Sequence, residues 1–256
     1  MKTLLLALAA ASALTLAAAP VAFAAAPADV KAALADPARP AADVARDPLR
    51  KPALLIAFAG IKPGDTVIDF IPGGGYFTRI FSGVVGPTGH VYATVPKAAE
   101  AMEAKDTATI TTFAATHPNV AVFVPAAGGF TSPSGLADVF WTAQNYHDLY
   151  NPMSKDAPPA DLLPLNKAVF AALKPGGVYI VVDHAAPAGS GVTDTKTLHR
   201  IDPAVVKKDV LAAGFEYVGE SDALKNPADP HTALVFDPSI RGHTDQFVYK
   251  FRKPKA

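Results

Sequence analysis

The chain contains no cysteine. This excludes disulfide bonds, a thiolate metal site, a cysteine nucleophile and a cysteine-linked lipid anchor, and it suits an oxidising compartment. Net charge is also missing, since 23 Lys and Arg balance 23 Asp and Glu. No overall field draws a polyanion to the surface, so nucleic acid is not an expected partner. Internal repeats are absent. What the chain has in quantity is apolar side chain: 50% of the 256 residues are hydrophobic and 18% are charged, enough for one sizeable core.

The first 24 residues read as a signal peptide. Lys2 precedes an apolar run over residues 4–19, and Pro20 is followed by the small-residue pattern Ala22-Phe23-Ala24, which places cleavage before Ala25. The expected mature chain is periplasmic or secreted, with no stable membrane span after cleavage. Residues 25–51 are rich in Ala and Pro and read as a linker, with short helices over 28–35 and 41–46 packing loosely on the body. The domain proper is expected over 52–256.

Within that domain, strand and helix patterns alternate. Strands are predicted over 66–69, 90–95, 120–124, 136–142, 177–183, 215–220 and 246–252, and helices over 52–60, 76–85, 97–116, 160–173 and 203–213. The turn Lys174-Pro175-Gly176-Gly177 separates a helix from the fifth strand. Such alternation demands a mostly parallel, doubly wound, Rossmann-like α/β sheet. Its organising stretch is residues 66–81: an apolar strand ends at Asp69, passes through Pro72-Gly73-Gly74-Gly75, and enters an amphipathic helix at Tyr76. A ligand is expected there, beyond the strand's carboxyl end and against unpaired helix N–H groups.

The pattern from Asp69 to Tyr76, together with Gln144-Asn145-Tyr146-His147-Asp148-Leu149, the 174–177 turn, Asp183-His184, Gly189-Ser190-Gly191, Leu198-His199-Arg200-Ile201 and Thr244-Asp245-Gln246-Phe247, resembles the class I S-adenosylmethionine-dependent methyltransferases. The narrower likeness is to exported bacterial proteins described as predicted methyltransferases. The resemblance covers roughly residues 52–252. It implies a seven-stranded sheet ordered 3-2-1-4-5-7-6 with the last strand antiparallel, S-adenosylmethionine as cofactor, and methyl transfer to an unidentified small acceptor. By the same likeness Asp69, Gly73 and Gly75 fall at cofactor-contacting positions, and Gly74, Tyr76, Thr94 and Asn145 are expected beside them.

Two departures from the pattern stand out. Ile71 occupies the place of the first loop glycine, and a β-branched residue resists unusual backbone angles, so the turn is expected to differ there. The end of the second strand reads Ala93-Thr94-Val95-Pro96, without the acid that would hold ribose hydroxyls; the nearest is Glu100.

After the fourth strand, Tyr146, His147 and Asp148 are the catalytic candidates, with His147 or Tyr146 as general base or orienting group. Asp183, His184, His199 and Arg200 are assigned to the substrate, Arg200 as a carboxylate clamp or as a salt-bridge partner of Asp202 or Asp183. Trp141 is expected in the core. The alternative is an exported, non-catalytic small-molecule binding protein on the same fold. A further alternative groups His147, Asp148, Asp183, His184 and His199 at a metal, although they lack the tight spacing of a known ligand motif, and no residue is assigned to a metal.

Overall fold

In a computed structural model of the protein, which describes residues 27–96, 104–125, 135–151 and 160–255, seven strands form a single sheet. They are β1 (Thr66–Phe70), β2 (His90–Thr94), β3 (Val120–Phe123), β4 (Ala137–Ala143), β5 (Leu173–His184), β6 (Glu216–Glu220) and β7 (Gln246–Arg252). Their order is β3-β2-β1-β4-β5-β7-β6. The first five are parallel, and β7 runs antiparallel to both β5 and β6. This is the order and polarity that the resemblance implies. The expected leader over residues 1–24 lies outside the described residues.

Among the described residues, eight α-helices accompany the strands: α1 (Ala28–Leu34), α2 (Ala41–Val44), α3 (Asp47–Arg50), α4 (Pro52–Ala59), α5 (Tyr76–Val85), α6 (Ala104–Ala114), α7 (Leu163–Ala172) and α8 (Pro203–Ala212). Residues 97–103, where the sixth was expected to begin, are not among the described residues. Pro52 opens α4 and Gly60, at φ 80°, closes it, the proline-in, glycine-out asymmetry that helix termini favour. The central strands are apolar on both faces because helices cover both. On one face Val67, Val139, Trp141, Ile180 and Val248 pack under α4 and α5. On the other, Ile68, Phe140, Tyr179, Val181 and Phe251 meet α7 and α8. The two-residue alternation of the strands divides the cores. Trp141 lies in the first, fully buried against Phe77 and Phe81 at centroid distances of 4.8 and 5.2 Å, as expected.

Two expectations are corrected. Lys174-Pro175-Gly176-Gly177 is no separating turn: β5 begins at Leu173 and bulges through it, with the β4 register shifting between Ala137 and Val139. Gly176 supplies the left-handed backbone, at φ 80°, and the bulge lets the proline stay in the strand. Nor are residues 27–51 a loose linker. Val30 is fully buried, and α1 packs on α5 where Ala33 lies against Gly83; a Cβ there would come within 2.8 Å of the Ala33 Cβ. The expected helix over 41–46 is α2, which ends at Val44, and α3 follows it at Asp47–Arg50; these two wall the site described next.

Candidate functional site

A cavity of about 430 Å³ opens beyond the carboxyl ends of β1 and β4. Its floor is the loop from Ile71 to Gly74. One wall is α2 and α3, with Asp43, Arg46 and Arg50; the other is the β4 end, with Gln144, Asn145 and Asp148, and Asp106 of α6 closes the side. Both strands stop where the chain turns sharply. Ile71 has φ 54° and Gln144 φ 64°, a left-handed region costly for residues with a Cβ and most of all for a β-branched one. Ile71 therefore adopts the left-handed backbone that its side chain resists. The Ile71 N–H donates to the Thr94 carbonyl at 2.9 Å, and the Asn145 Nδ2 donates to the Ile71 carbonyl at 2.9 Å. Ile71 lines the cavity without filling it.

Glycine has separate uses along the loop. Gly73 and Gly74 present bare backbone to the cavity. Gly75, at φ 83°, lies behind it; a Cβ there would stand 3.0 Å from the Ile110 Cγ1 and 3.1 Å from an Arg79 guanidinium nitrogen. Its role is to let α6 and the cavity wall close on the start of α5.

Charge is arranged unevenly around this backbone. Asp69 is buried and accepts the Thr78 hydroxyl at 2.6 Å. Burial pushes its carboxyl up to about 7, against the hydrogen bonds from Thr78 and the nearby charge of Arg50. Arg50 is the complementary case. Burial and the neighbouring Arg46 pull it down to about 10, so it stays charged at neutral pH while carrying an unfavourable electrostatic load. Among the described residues no carboxylate pairs with it: its hydrogen-bond acceptor is the Gln144 Oε1 at 2.5 Å, and it lies over the rings of Tyr76 and Phe77 at 4.6 and 5.3 Å. Arg79 is different, paired with Asp43 at 2.6 Å. Tyr76 lines the cavity and donates to Asp47 at 2.6 Å, which also takes both nitrogens of Arg39.

Beside the cavity lies a second group of side chains. His147 starts a 3-10 turn after β4 and is buried. Its Nδ1 and its backbone N–H both meet Asp183, at the β5 end, at 2.8 Å. Asp183 also accepts the His184 N–H at 2.8 Å. Although burial alone would raise the Asp183 carboxyl, the His147 charge and hydrogen bonds hold it below the ordinary carboxylate range. Burial works on His147 the other way, and the Asp183 charge overcomes it, so His147 is raised. The His147 Nε2 faces the His199 Nδ1 at 3.2 Å, with Asp148 3.4 Å from each ring.

The expected site residues thus divide. Asp69, Gly73, Gly74, Tyr76, Asn145 and Asp148 line the cavity; His147, His199 and Asp183 form the group beside it. Thr94 does not reach the cavity: it is fully buried, and its hydroxyl bonds the Tyr92 carbonyl at 3.3 Å. Asn145 lines the cavity, yet its amide is committed to the carbonyls of Phe70, Ile71 and Ala143 and its oxygen to Thr142. Tyr146 is no general base. It is fully buried, accepts from the Asn166 Nδ2 at 2.9 Å, and burial raises its hydroxyl far above neutrality. His184 turns to Thr244 at 2.7 Å, and burial lowers it to about 4.

Arg200 is no clamp for a substrate. Its exposure is 0%, and it is held by Asp229 at 2.8 and 3.2 Å and by the carbonyls of Ala185 and Ala233. The partner is neither Asp202 nor Asp183.

Sequence reasoning missed Arg46, Arg50, Gln144 and Asp106. One signal was available: Arg46 and Arg50 are four apart, the spacing that puts two side chains on one helical face. Glu100, the acid expected nearest the ribose position, lies outside the described residues; Asp106 is the acid placed against Gly73 and Gly74.

No protein-family model matches the chain, and no curated protein matches it by sequence. Solved structures match it by fold. A SAM-dependent methyltransferase from Aquifex aeolicus aligns over 81% of this chain and 98% of its own, with TM-score 0.55 and 16% identity. One from Mesorhizobium loti aligns over 80% and 97%, with TM-score 0.52 and 15% identity. The [4+2]-cyclase SpnF aligns over 81% of each chain, with TM-score 0.58 and 16% identity. A fold shared by methyltransferases and a cyclase does not by itself fix a reaction. What these likenesses establish is that the chain has the Rossmann-like fold of the class I methyltransferases.

Proposed function

We propose that the protein binds S-adenosylmethionine in the cavity beyond β1 and transfers its methyl group to a small acceptor at the Asp148 edge. The observation that carries this reading is Arg50, a partly buried cation without a carboxylate partner among the described residues, on a cavity whose floor also carries the buried Asp69. A ligand with a carboxylate and a cationic amine satisfies both. The carboxylate gives Arg50 the planar, two-oxygen partner that suits a guanidinium, and the amine favours the ionised form of Asp69. The bare backbone of Gly73 and Gly74 admits the nucleoside, and Asp106 beside it supplies an acceptor for ribose hydroxyls. The cavity's size falls in the range of small-molecule sites. The resemblance to class I methyltransferases, in particular to the exported predicted methyltransferases, supports the same cofactor.

Methyl transfer to a held acceptor needs little covalent work from the protein. Placing the acceptor in line with the sulfonium methyl supplies most of the rate. His147, fixed through Nδ1 by Asp183, stands behind Asp148, which forms the cavity edge where the acceptor is held. On the leader pattern alone, we place the mature chain in the periplasm or outside the cell. No helix among the described residues is long and apolar enough to cross a membrane.

Calorimetric titration of the purified chain with S-adenosylhomocysteine, the demethylated product, tests the reading. Binding of one equivalent in the micromolar range is expected, together with a rise in melting temperature. Folded protein that neither binds nor is stabilised by this compound or by S-adenosylmethionine overturns it.

A further inference from the structure

The side chains beside the cavity have a geometry that hydrogen bonding alone does not require. The His147 Nε2 and His199 Nδ1 are 3.2 Å apart, and the Asp148 carboxylate lies 3.4 Å from the first through one oxygen and 3.4 Å from the second through the other. A tetrahedral ion with bonds of about 2.0–2.2 Å spaces its ligand atoms about 3.3–3.6 Å apart. The two nitrogens stand at about one edge of such a tetrahedron and the carboxylate straddles them, so that one ligand atom from each of the three residues lies within 4.8 Å of the other two. An octahedral ion of similar bond length would bring neighbouring ligands to about 2.9 Å, and Mg²⁺ and Ca²⁺ prefer all-oxygen shells to two imidazoles. We infer that His147, His199 and Asp148 form a binding site for one first-row divalent transition-metal ion, zinc or a close substitute, with its fourth position open toward the cavity.

Three features of the surroundings support this site. First, Asp183 is fully buried and engages the His147 Nδ1, which fixes the tautomer with its lone pair on Nε2. A carboxylate behind a ligating imidazole is the usual outer partner of a metal-bound histidine. Second, His199 is held at φ 54° with its ring against Phe236 at a centroid distance of 5.0 Å. That backbone is uncommon for a residue with a Cβ, and such conformations gather where function demands a particular side-chain aim. Third, the site is reachable: the side chains of Asp148 and His199 are 45% and 31% exposed, and Asp148 also lines the cavity. Two neutral imidazoles and one carboxylate suit Zn²⁺, Co²⁺ or Fe²⁺.

The inference stands on this geometry and not on occupancy of the cofactor cavity. Its test uses the purified chain, stripped with chelator, then titrated with Zn²⁺ by calorimetry and with Co²⁺ by visible absorption. One equivalent of each is expected to bind at micromolar affinity or better, with the intense visible bands of four-coordinate Co²⁺. His199→Asn keeps a side chain that tolerates left-handed backbone and removes a ligand, so it should weaken binding at least a hundredfold. His147→Gln should do the same, and Asp183→Asn should cost tenfold to a hundredfold. S-adenosylhomocysteine titrated into His199→Asn gives a separate readout, because His199 does not line the cavity; unchanged binding of that compound beside lost metal binding is the expected pair. Absence of stoichiometric Zn²⁺ and Co²⁺ binding in folded wild-type protein, or equal metal affinity in wild type and His199→Asn, overturns the site.

Discussion

The Asn145 side-chain amide donates to the carbonyl oxygen of Ile71 at 2.9 Å and thereby ties the end of β4 to the strained residue at the end of β1. The same nitrogen reaches the carbonyls of Phe70 and Ala143 at 3.3 and 3.2 Å. One amide thus bridges the ends of β1 and β4, and the cavity opens between them. Asn145→Ala should lose about 2 kcal/mol, the range for stranding buried acceptors. Ile71→Gly should stay within about 1 kcal/mol of wild type, because relief of about 1–2 kcal/mol of left-handed strain offsets the lost side chain. Urea unfolding of both variants checks the pair of values. A loss of several kcal/mol in Ile71→Gly would show that the side chain, not the amide, shapes the turn.

Asp69 supplies a pH dependence whose sign is fixed by burial. Its carboxyl is pushed up to about 7 in the folded chain from an ordinary 3.8, so the folded form keeps a proton that the unfolded form has released. Stability from this group is greatest at low pH and is lost as pH rises from about 4 through 7, by an amount on the order of 4 kcal/mol at most. Urea midpoints between pH 4.5 and 8 should fall more steeply in wild type than in Asp69→Asn. A cationic ligand reverses the preference because it favours the ionised carboxylate. Affinity for S-adenosylhomocysteine should rise roughly eightfold from pH 6 to 7.5 and be nearly flat in Asp69→Asn.

Arg50 is predicted to read the ligand's carboxylate. Arg50→Ala should weaken S-adenosylhomocysteine binding about tenfold to a hundredfold, the worth of a hydrogen bond between charged groups. The decarboxylated analogue should bind wild type and variant alike, since it lacks the group that Arg50 holds. Equal losses for both compounds would assign Arg50 to packing against Tyr76 instead. Calorimetry with the two ligands on the two proteins separates these outcomes.

How much of this was legible in the sequence follows from what each feature depends on. The β1 strand, the glycine loop and α5 could be read because an apolar run, Asp69 and three consecutive glycines are local signals. The sheet order came with the resemblance. Ile71 misled because its side chain opposes the conformation that tertiary contacts to Thr94 and Asn145 impose on it. Arg50 was hidden by the prolines around it, which read as a linker; the contacts of Asp43 with Arg79 and of Asp47 with Tyr76 hold that segment over the cavity. Tyr146, His147 and Asp148 are adjacent in sequence and go to three places: the core, the Asp183 carboxylate and the cavity rim. A 3-10 turn distributes them, and its course is set by elements far away in the chain.

Arg200 tests whether the assignments within the 199–200 pair are right. Its guanidinium is fully buried with four hydrogen bonds, two of them to Asp229, which also accepts the backbone N–H groups of Asp245 and His231 at 2.7 and 3.0 Å. Burial would raise Asp229, but these hydrogen bonds and Arg200 hold it below the ordinary carboxylate range. Breaking such a pair leaves an uncompensated buried charge, so Arg200→Met should cost about 3–5 kcal/mol. The double variant Arg200→Met with Asp229→Asn should recover part of that loss. Neither should change the affinity for S-adenosylhomocysteine in protein that remains folded at low temperature, because the pair touches neither the cavity nor the imidazoles. A stable Arg200→Met protein with altered ligand affinity would return this arginine to the binding site.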